Sequence, residues 1–200
     1  MGLTFFDPRA GVRAEFKPAS QPEVGLELGS DGPRERAVRD ALAGALVFLG
    51  LKPVSGAEIR VGGASAGGGA WLQVAPATGN ALPDDAALAA RGYSPADFRY
   101  LCLKTHYRKP LAFSWEALAA ARAERGDLGA AARSLADVSL EPSARARAGY
   151  LHRFREALSR DLDLPEALAT VWDALRPGAL SPGSRAALLR ETLPALGLYY

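Results

Sequence analysis

Few side chains in this 200-residue sequence could do chemistry, and their spacing limits what that chemistry would be. A single cysteine, Cys102, rules out a disulfide within the chain and any zinc site built mainly from thiolates. The two histidines, His106 and His152, stand far apart with no evident carboxylate partner beside either, so each reads as a satisfied or exposed histidine. The run GGASAGGG (62–69) invites a phosphate-cradling reading through its backbone amides. It lacks the G-x-x-x-x-G-K-[ST] pattern, and no lysine or arginine follows it until Arg91, so it reads as a connector. Asp161 and Asp163 bracket a helix start, where a carboxylate meets free amides and the positive end of the dipole, and capping is the reading for both.

The elements that must position these residues change character along the chain. VGLEL (24–28) reads as a strand, and Pro33 suits a first helical position. Val38, Ala41, Leu42, Ala45, Leu46 and Leu49 recur at helical spacing up to Gly50. AEIRV (57–61) completes a β-α-β unit, and AWLQV (70–74) adds a short strand. Beyond this the chain is helical. Ser94 caps a helix with Pro95 at its first position, which places Cys102 on the buried side. Ser114 opens a helix to roughly 125, with a separate short one near 127–136. Further helices are expected over about 142–161, from Pro165, and from Ser181 and Pro182 to about Gly197. Their amphipathic spacing predicts an antiparallel bundle over about 114–200. The expected fold is therefore α/β followed by all-α, with an α/β unit at 1–92 and a connecting helix and bundle at 93–200.

No apolar run nears the roughly 20 residues that span a bilayer, and MGLTFFDPRAG lacks the basic-then-apolar order of a signal peptide, so no membrane association and a cytoplasmic location are expected. The overall charge of +2 hides a local excess. Residues 99–160 hold twelve Lys and Arg against six Asp and Glu, a net +6, while both flanks are net negative. Most of these cations are arginine, whose planar fork suits phosphate, although the overall bias toward Ala, Arg, Gly and Leu fits a GC-rich coding sequence as well.

YSPADFRYLCLKTHYRKPLAFSWEALAAAR (93–122) closely resembles the segment after the KMSKS loop of cysteinyl-tRNA synthetases, where an Asp-Pro-Glu-Ala-Leu-Arg-Tyr type helix runs into Ser-Thr-His-Tyr-Arg-Ser-Pro-Leu-Asn-Phe-Ser. Pro95, Arg99, Tyr100, Thr105, His106, Tyr107, Arg108, Pro110, Leu111, Phe113 and Ser114 match. FREALSRDLDLPEALATVWDAL (154–175) resembles the family's DALR-type bundle, with Leu164 where the pattern has threonine, a change that would remove a helix N-cap worth about 1 kcal/mol. Upstream, LTFFDPRAGVRAEFKP (3–18), VGLEL with residues 34–54, and WLQV with TGN (78–80) are similar, in order, to the family's opening segment, its first Rossmann strand and helix, and the flanks of the KMSKS loop.

The departures from the family set the functional expectation. Between strand and helix stands only GSDGP, without the zinc-binding cysteine or the HIGH motif, and neither KMSKS lysine is present. Loss of such donors removes stabilisation typically worth several kcal/mol each. The resemblance therefore implies a synthetase-like pseudoenzyme, a reduced Rossmann-like remnant with a DALR-type bundle, holding neither zinc nor another cofactor and having no catalytic residue. It would bind tRNA or another structured RNA through Arg99, Lys104, Arg108, Lys109, Arg145, Arg153 and Arg160. The alternatives are a protein-interaction module, pairing with itself or a partner synthetase, and residual nucleotide or aminoacyl-adenylate binding near Gly29 to Gly32.

Overall fold

The structure, a computed structural model, describes residues 2–19, 21–63, 70–138 and 143–200. The chain opens with an antiparallel hairpin of β1 (Leu3–Asp7) and β2 (Val12–Phe16), Leu3 facing Phe16 and Asp7 facing Val12. The Asp7 carboxylate accepts the Arg9 amide at 2.8 Å and Gly11 takes a positive φ, which is ordinary turn chemistry. Alternation buries Leu3 and Phe5 and leaves most of β2 exposed.

A parallel sheet of order β4-β3-β5-β6 follows, made of β3 (Glu23–Leu28), β4 (Lys52–Ser55), β5 (Ile59–Gly62) and β6 (Ala70–Gln73). Helix α1 (Pro33–Phe48) joins β3 to β4 and lays Val38, Ala41, Leu42, Ala45 and Leu46 into the core. The β-α-β expectation holds, with one strand more than expected. Strand β4 takes one edge of β3, and the chain then crosses to pair β5 on the other side. Glycine suits this crossing, since a Cβ on Gly25 or on Gly56 would lie 3.0 Å from the other's backbone, tighter than side chains ordinarily pack. Buried Ile59, Val61 and Leu72 supply the apolar runs a covered parallel sheet needs.

Next come β7 (Ala77–Gly79) and β8 (Leu111–Phe113), a short parallel pair, and two helices between them, α2 (Asp85–Ala90) and α3 (Pro95–Leu103). Ser94 and Asp97 form a capping box at α3, as the Ser-Pro start predicts, and Cys102 is buried. The rest is α4 (Trp115–Ser134), α5 (Ala144–Ser159), α6 (Leu164–Leu175) and α7 (Pro182–Thr192), capped by Ser114, Ser143, Asp163 and Ser181, with a short 3-10 turn at Pro194–Leu196.

Three expectations are corrected. Residues 115–134 form one helix rather than two, because Gly126 meets open space and costs only about 1 kcal/mol of helix propensity. Leu164 does not leave α6 uncapped, because the Asp163 carboxylate accepts the Glu166 amide at 3.3 Å. The helices of 114–200 do not act as one group of four, since α5, α6 and α7 pack on one another while α4 packs chiefly on α3. One main core runs from Leu3 in the hairpin through the sheet and α3 to Leu198, and a small second cluster holds Ala174, Leu180 and Leu188.

Candidate functional site

The sharpest concentration of polar chemistry lies where the turn after α3 meets the end of α5. Asp161 follows α5 in a left-handed conformation (φ 60°), as does Leu162 (φ 49°), and both are fully buried. Two non-glycine residues in that region are strained, and the contacts around them hold them there. The Asp161 carboxylate accepts the Tyr107 hydroxyl and the Phe6 amide, the latter at 2.9 Å. Its other oxygen lies 2.7 Å from Nη2 of Arg108, an ionic contact without an aligned hydrogen bond, with Arg13 Nε at 3.8 Å and His106 Nε2 at 3.9 Å. The Asp161 amide donates to the Thr4 carbonyl at 2.8 Å and the Thr4 hydroxyl to the Ser159 carbonyl at 3.2 Å. Arg108 lies 4.3 Å over the Phe6 ring, and His106 stacks on Tyr107.

Together these contacts form a latch that fastens the hairpin and the 105–108 turn to the helices. Burial and then the Asp161 carboxylate push the Tyr107 hydroxyl far above its ordinary range, so it stays a neutral donor. Burial holds the His106 pKa below 6.5 against the raising pull of Asp161 and Asp163. With no open face on the carboxylate, this cluster fits structure better than turnover. Asp161 is not the helix cap the sequence suggested, and His106 does meet a carboxylate; both facts are tertiary. His152 is exposed, with Glu156 one helical turn on at 3.6 Å.

Arg34, in the first turn of α1, is buried beneath the same turn. Its guanidinium donates to the carbonyls of Ala75, Pro76, His106 and Lys109, the last at 2.7 Å, and burial lowers its pKa. A fixed fork of donors can serve several carbonyls that no single apolar side chain could. Burial also pushes the Cys102 thiol up to about 12, so it remains a protonated core residue.

At the carboxyl ends of β3 and β5, where open α/β sheets bind ligands, the groups are few. The Ser30 hydroxyl accepts the Gly63 amide at 3.2 Å and bonds Glu35 at 3.4 Å. The Glu35 carboxylate folds over Gly32 at the uncapped start of α1, placing negative charge where a phosphate would sit. Of GGASAGGG only Gly62 and Gly63 are described; residues 64–69 lie outside the described residues. Among the described residues no three His, Cys, Asp or Glu side chains gather as metal ligands would, and no helix is long and apolar enough to cross a membrane.

The seven cations expected to meet RNA fall into two groups. Four pair internally: Arg99 with Asp40 (2.8 Å) and the Gly197 carbonyl (3.0 Å), Lys104 with Glu124 (2.6 Å), Arg108 with Asp161, and Arg153 with Asp173 (2.7 Å). Lys109, Arg145 and Arg160 are exposed and have no carboxylate partner among the described residues. Arg145 stands in the first turn of α5, where a cation opposes the helix dipole. The sequence did not single out one further grouping. Trp115 stacks on Tyr93 at 5.8 Å, Arg91 lies over the Trp115 ring at 4.2 Å, and Arg122 lies over the Tyr93 ring at 5.5 Å. No local period marks these residues, because they come from the α2–α3 turn and from α4.

No family model matches the chain. Curated proteins do match. A cysteine–tRNA ligase 1 of Burkholderia lata is 38% identical over 111 residues, which is 56% of this chain and 22% of that protein. The cysteine–tRNA ligase of Treponema pallidum (strain Nichols) is 32% identical over 130 residues (56% of this chain, 25% of that protein), and that of Novosphingobium aromaticivorans 34% over 115 (56% and 23%). The chain is related to the cysteine–tRNA ligases. It spans about a quarter of the length of the curated relatives it matches. In this relative of cysteine–tRNA ligases, the β3–α1 connection is Gly29-Ser30-Asp31-Gly32 and the β6–β7 connection Val74-Ala75-Pro76, with no histidine or lysine in either.

Proposed function

We propose that this chain is a cytoplasmic, cysteine–tRNA ligase-related pseudoenzyme that binds tRNA or another structured RNA, with α5 to α7 as a DALR-type helical region. The observation that carries the reading is the exposure of Lys109, Arg145 and Arg160 without carboxylate partners, in the segment of the chain where cations are in excess. A cation left unpaired at the surface keeps its full charge for a phosphate, whereas Arg99, Lys104, Arg108 and Arg153 are already partnered. The β3–α1 and β6–β7 connections support the absence of adenylate chemistry, since neither holds a histidine or lysine and the guanidiniums beside them, Arg36 on Asp31 and Arg34 on the Ala75 and Pro76 carbonyls, are already engaged.

A titration of labelled tRNA at two salt concentrations tests the binding. Affinity should fall with salt, and Lys109→Ala with Arg145→Ala and Arg160→Ala should flatten the log–log slope by about 2 to 3. No binding at low salt overturns the reading. Cysteine-dependent pyrophosphate exchange by the purified chain would overturn its pseudoenzyme part.

A second reading, a protein-interaction module, has its own observation. Tyr199 (75% exposed) and Val47 (62% exposed) flank a groove of about 460 Å³ between α1 and the C-terminal turn, also lined by Phe48, Pro194 and Ala195. Light scattering that shows a monomer over a wide concentration range would remove self-association.

A further inference from the structure

The Arg91–Trp115–Tyr93–Arg122 stack is built more firmly than a surface contact requires. Trp115 meets the edge of Phe113 at 5.4 Å, and Phe113 meets the edge of Phe98 at 6.1 Å, so the stack is rooted in the core through two buried rings. Tyr93 and Trp115 are half-buried, whereas Arg91 and Arg122 beside them are exposed. Arg122 is further held by donating to the Gly92 carbonyl at 2.9 Å. Neither arginine has a carboxylate partner among the described residues. Glu124, two residues from Arg122, is bound by Lys104 at 2.6 Å, and Glu116 beside Trp115 has its carboxylate tied to the first turn of its own helix, where backbone and Ser114 hydrogen bonds lower its pKa. Asp97, at the start of the helix after Tyr93, is bound by Arg125 at 2.8 Å.

An arginine held over one aromatic ring keeps its opposite face free together with those edge donors not otherwise bonded, which on Arg122 are all but the one given to Gly92. Such a face accepts a nucleobase by stacking, while the edge reaches the adjoining phosphate. Lys109 precedes Trp115 by one short strand, within about 20 Å along the chain at strand rise. We propose that Arg91 and Arg122, held by Trp115 and Tyr93, form a stacking platform for unpaired nucleotides of a bound RNA. This rests on the RNA-binding reading above and specifies which part of the RNA meets this face.

The test uses the full chain with three probes: tRNA, a single-stranded oligoadenylate, and an oligoglutamate peptide of similar charge. Arg91→Lys with Arg122→Lys keeps both charges and removes both planar guanidinium faces. Oligoadenylate binding should weaken about tenfold in this variant with an unchanged salt slope. Wild-type-like oligoadenylate binding by the lysine variant, while tRNA still binds the wild type, overturns the platform and leaves the RNA reading standing. Equal binding of oligoglutamate also overturns it, because charge rather than stacking would then set affinity. Failure of the wild type to bind either RNA overturns both.

Discussion

Tyr107 and Asp161, 54 positions apart, share a buried hydrogen bond in which the phenol donates to the carboxylate that also receives the Phe6 amide. Through this pair the hairpin, the 105–108 turn and the end of α5 become one unit. The particular order of residues at 105–108 is thereby accounted for by assembly, with no demand for turnover.

Asparagine at 161 keeps an oxygen that can accept the Phe6 amide but removes the buried charge that faces Arg108. Asp161→Asn should cost about 3 kcal/mol in denaturant unfolding. Tyr107→Phe should cost less, and the double variant less than the two separately, because they share one interaction. Additive losses would show that the two residues do not act together.

Arg34 satisfies four carbonyls from beneath the same turn. Arg34→Met should destabilise by about 3 kcal/mol, since buried acceptors lose their donor. Arg34→Lys should recover only part of this, because an ammonium carries three donors and no fork. Equal stability of the Lys variant and the wild type by thermal unfolding would refute the geometry.

His106 gives a pH dependence of defined sign. Its folded pKa lies below the ordinary 6.5, so the unfolded chain takes the proton first. The stability it contributes is full above roughly pH 6.5 and is lost as pH falls below that value. Thermal midpoints measured from about pH 7 to about pH 5 should fall less steeply in His106→Gln than in the wild type. Parallel curves would count against this.

Two glycines in helices should respond in opposite directions to alanine. Gly126 in α4 meets open space, so Gly126→Ala should stabilise by about 1 kcal/mol. A Cβ on Gly44 in α1 would lie 2.5 Å from the Ala195 carbonyl oxygen, so Gly44→Ala should destabilise by about 1 to 3 kcal/mol despite the better propensity. The same sign for both would mean that α1 and the C-terminal turn do not pack this closely.

What the sequence determined by itself was local. Proline and serine at helix starts, the apolar spacing of 38–49 and the alternation in 24–28 and 57–61 mark α1, α3, β3 and β5 because caps and amphipathic periods act within a few residues. The relationship to the cysteine–tRNA ligases was legible too, since it rests on residue order. Short strands such as β4 and β7 carry too few residues for a period, and β4 takes its place only through pairing with β3. Which cations remain unpaired was likewise a tertiary decision. Arg99, Lys104, Arg108 and Arg153 look like Lys109, Arg145 and Arg160 in sequence, but folding brings Asp40, Glu124, Asp161 and Asp173 to the first four and no carboxylate among the described residues to the other three. Charge pairing depends on distance in space, which the packing of α1, α3, α4, α5 and α6 sets and the order of residues does not.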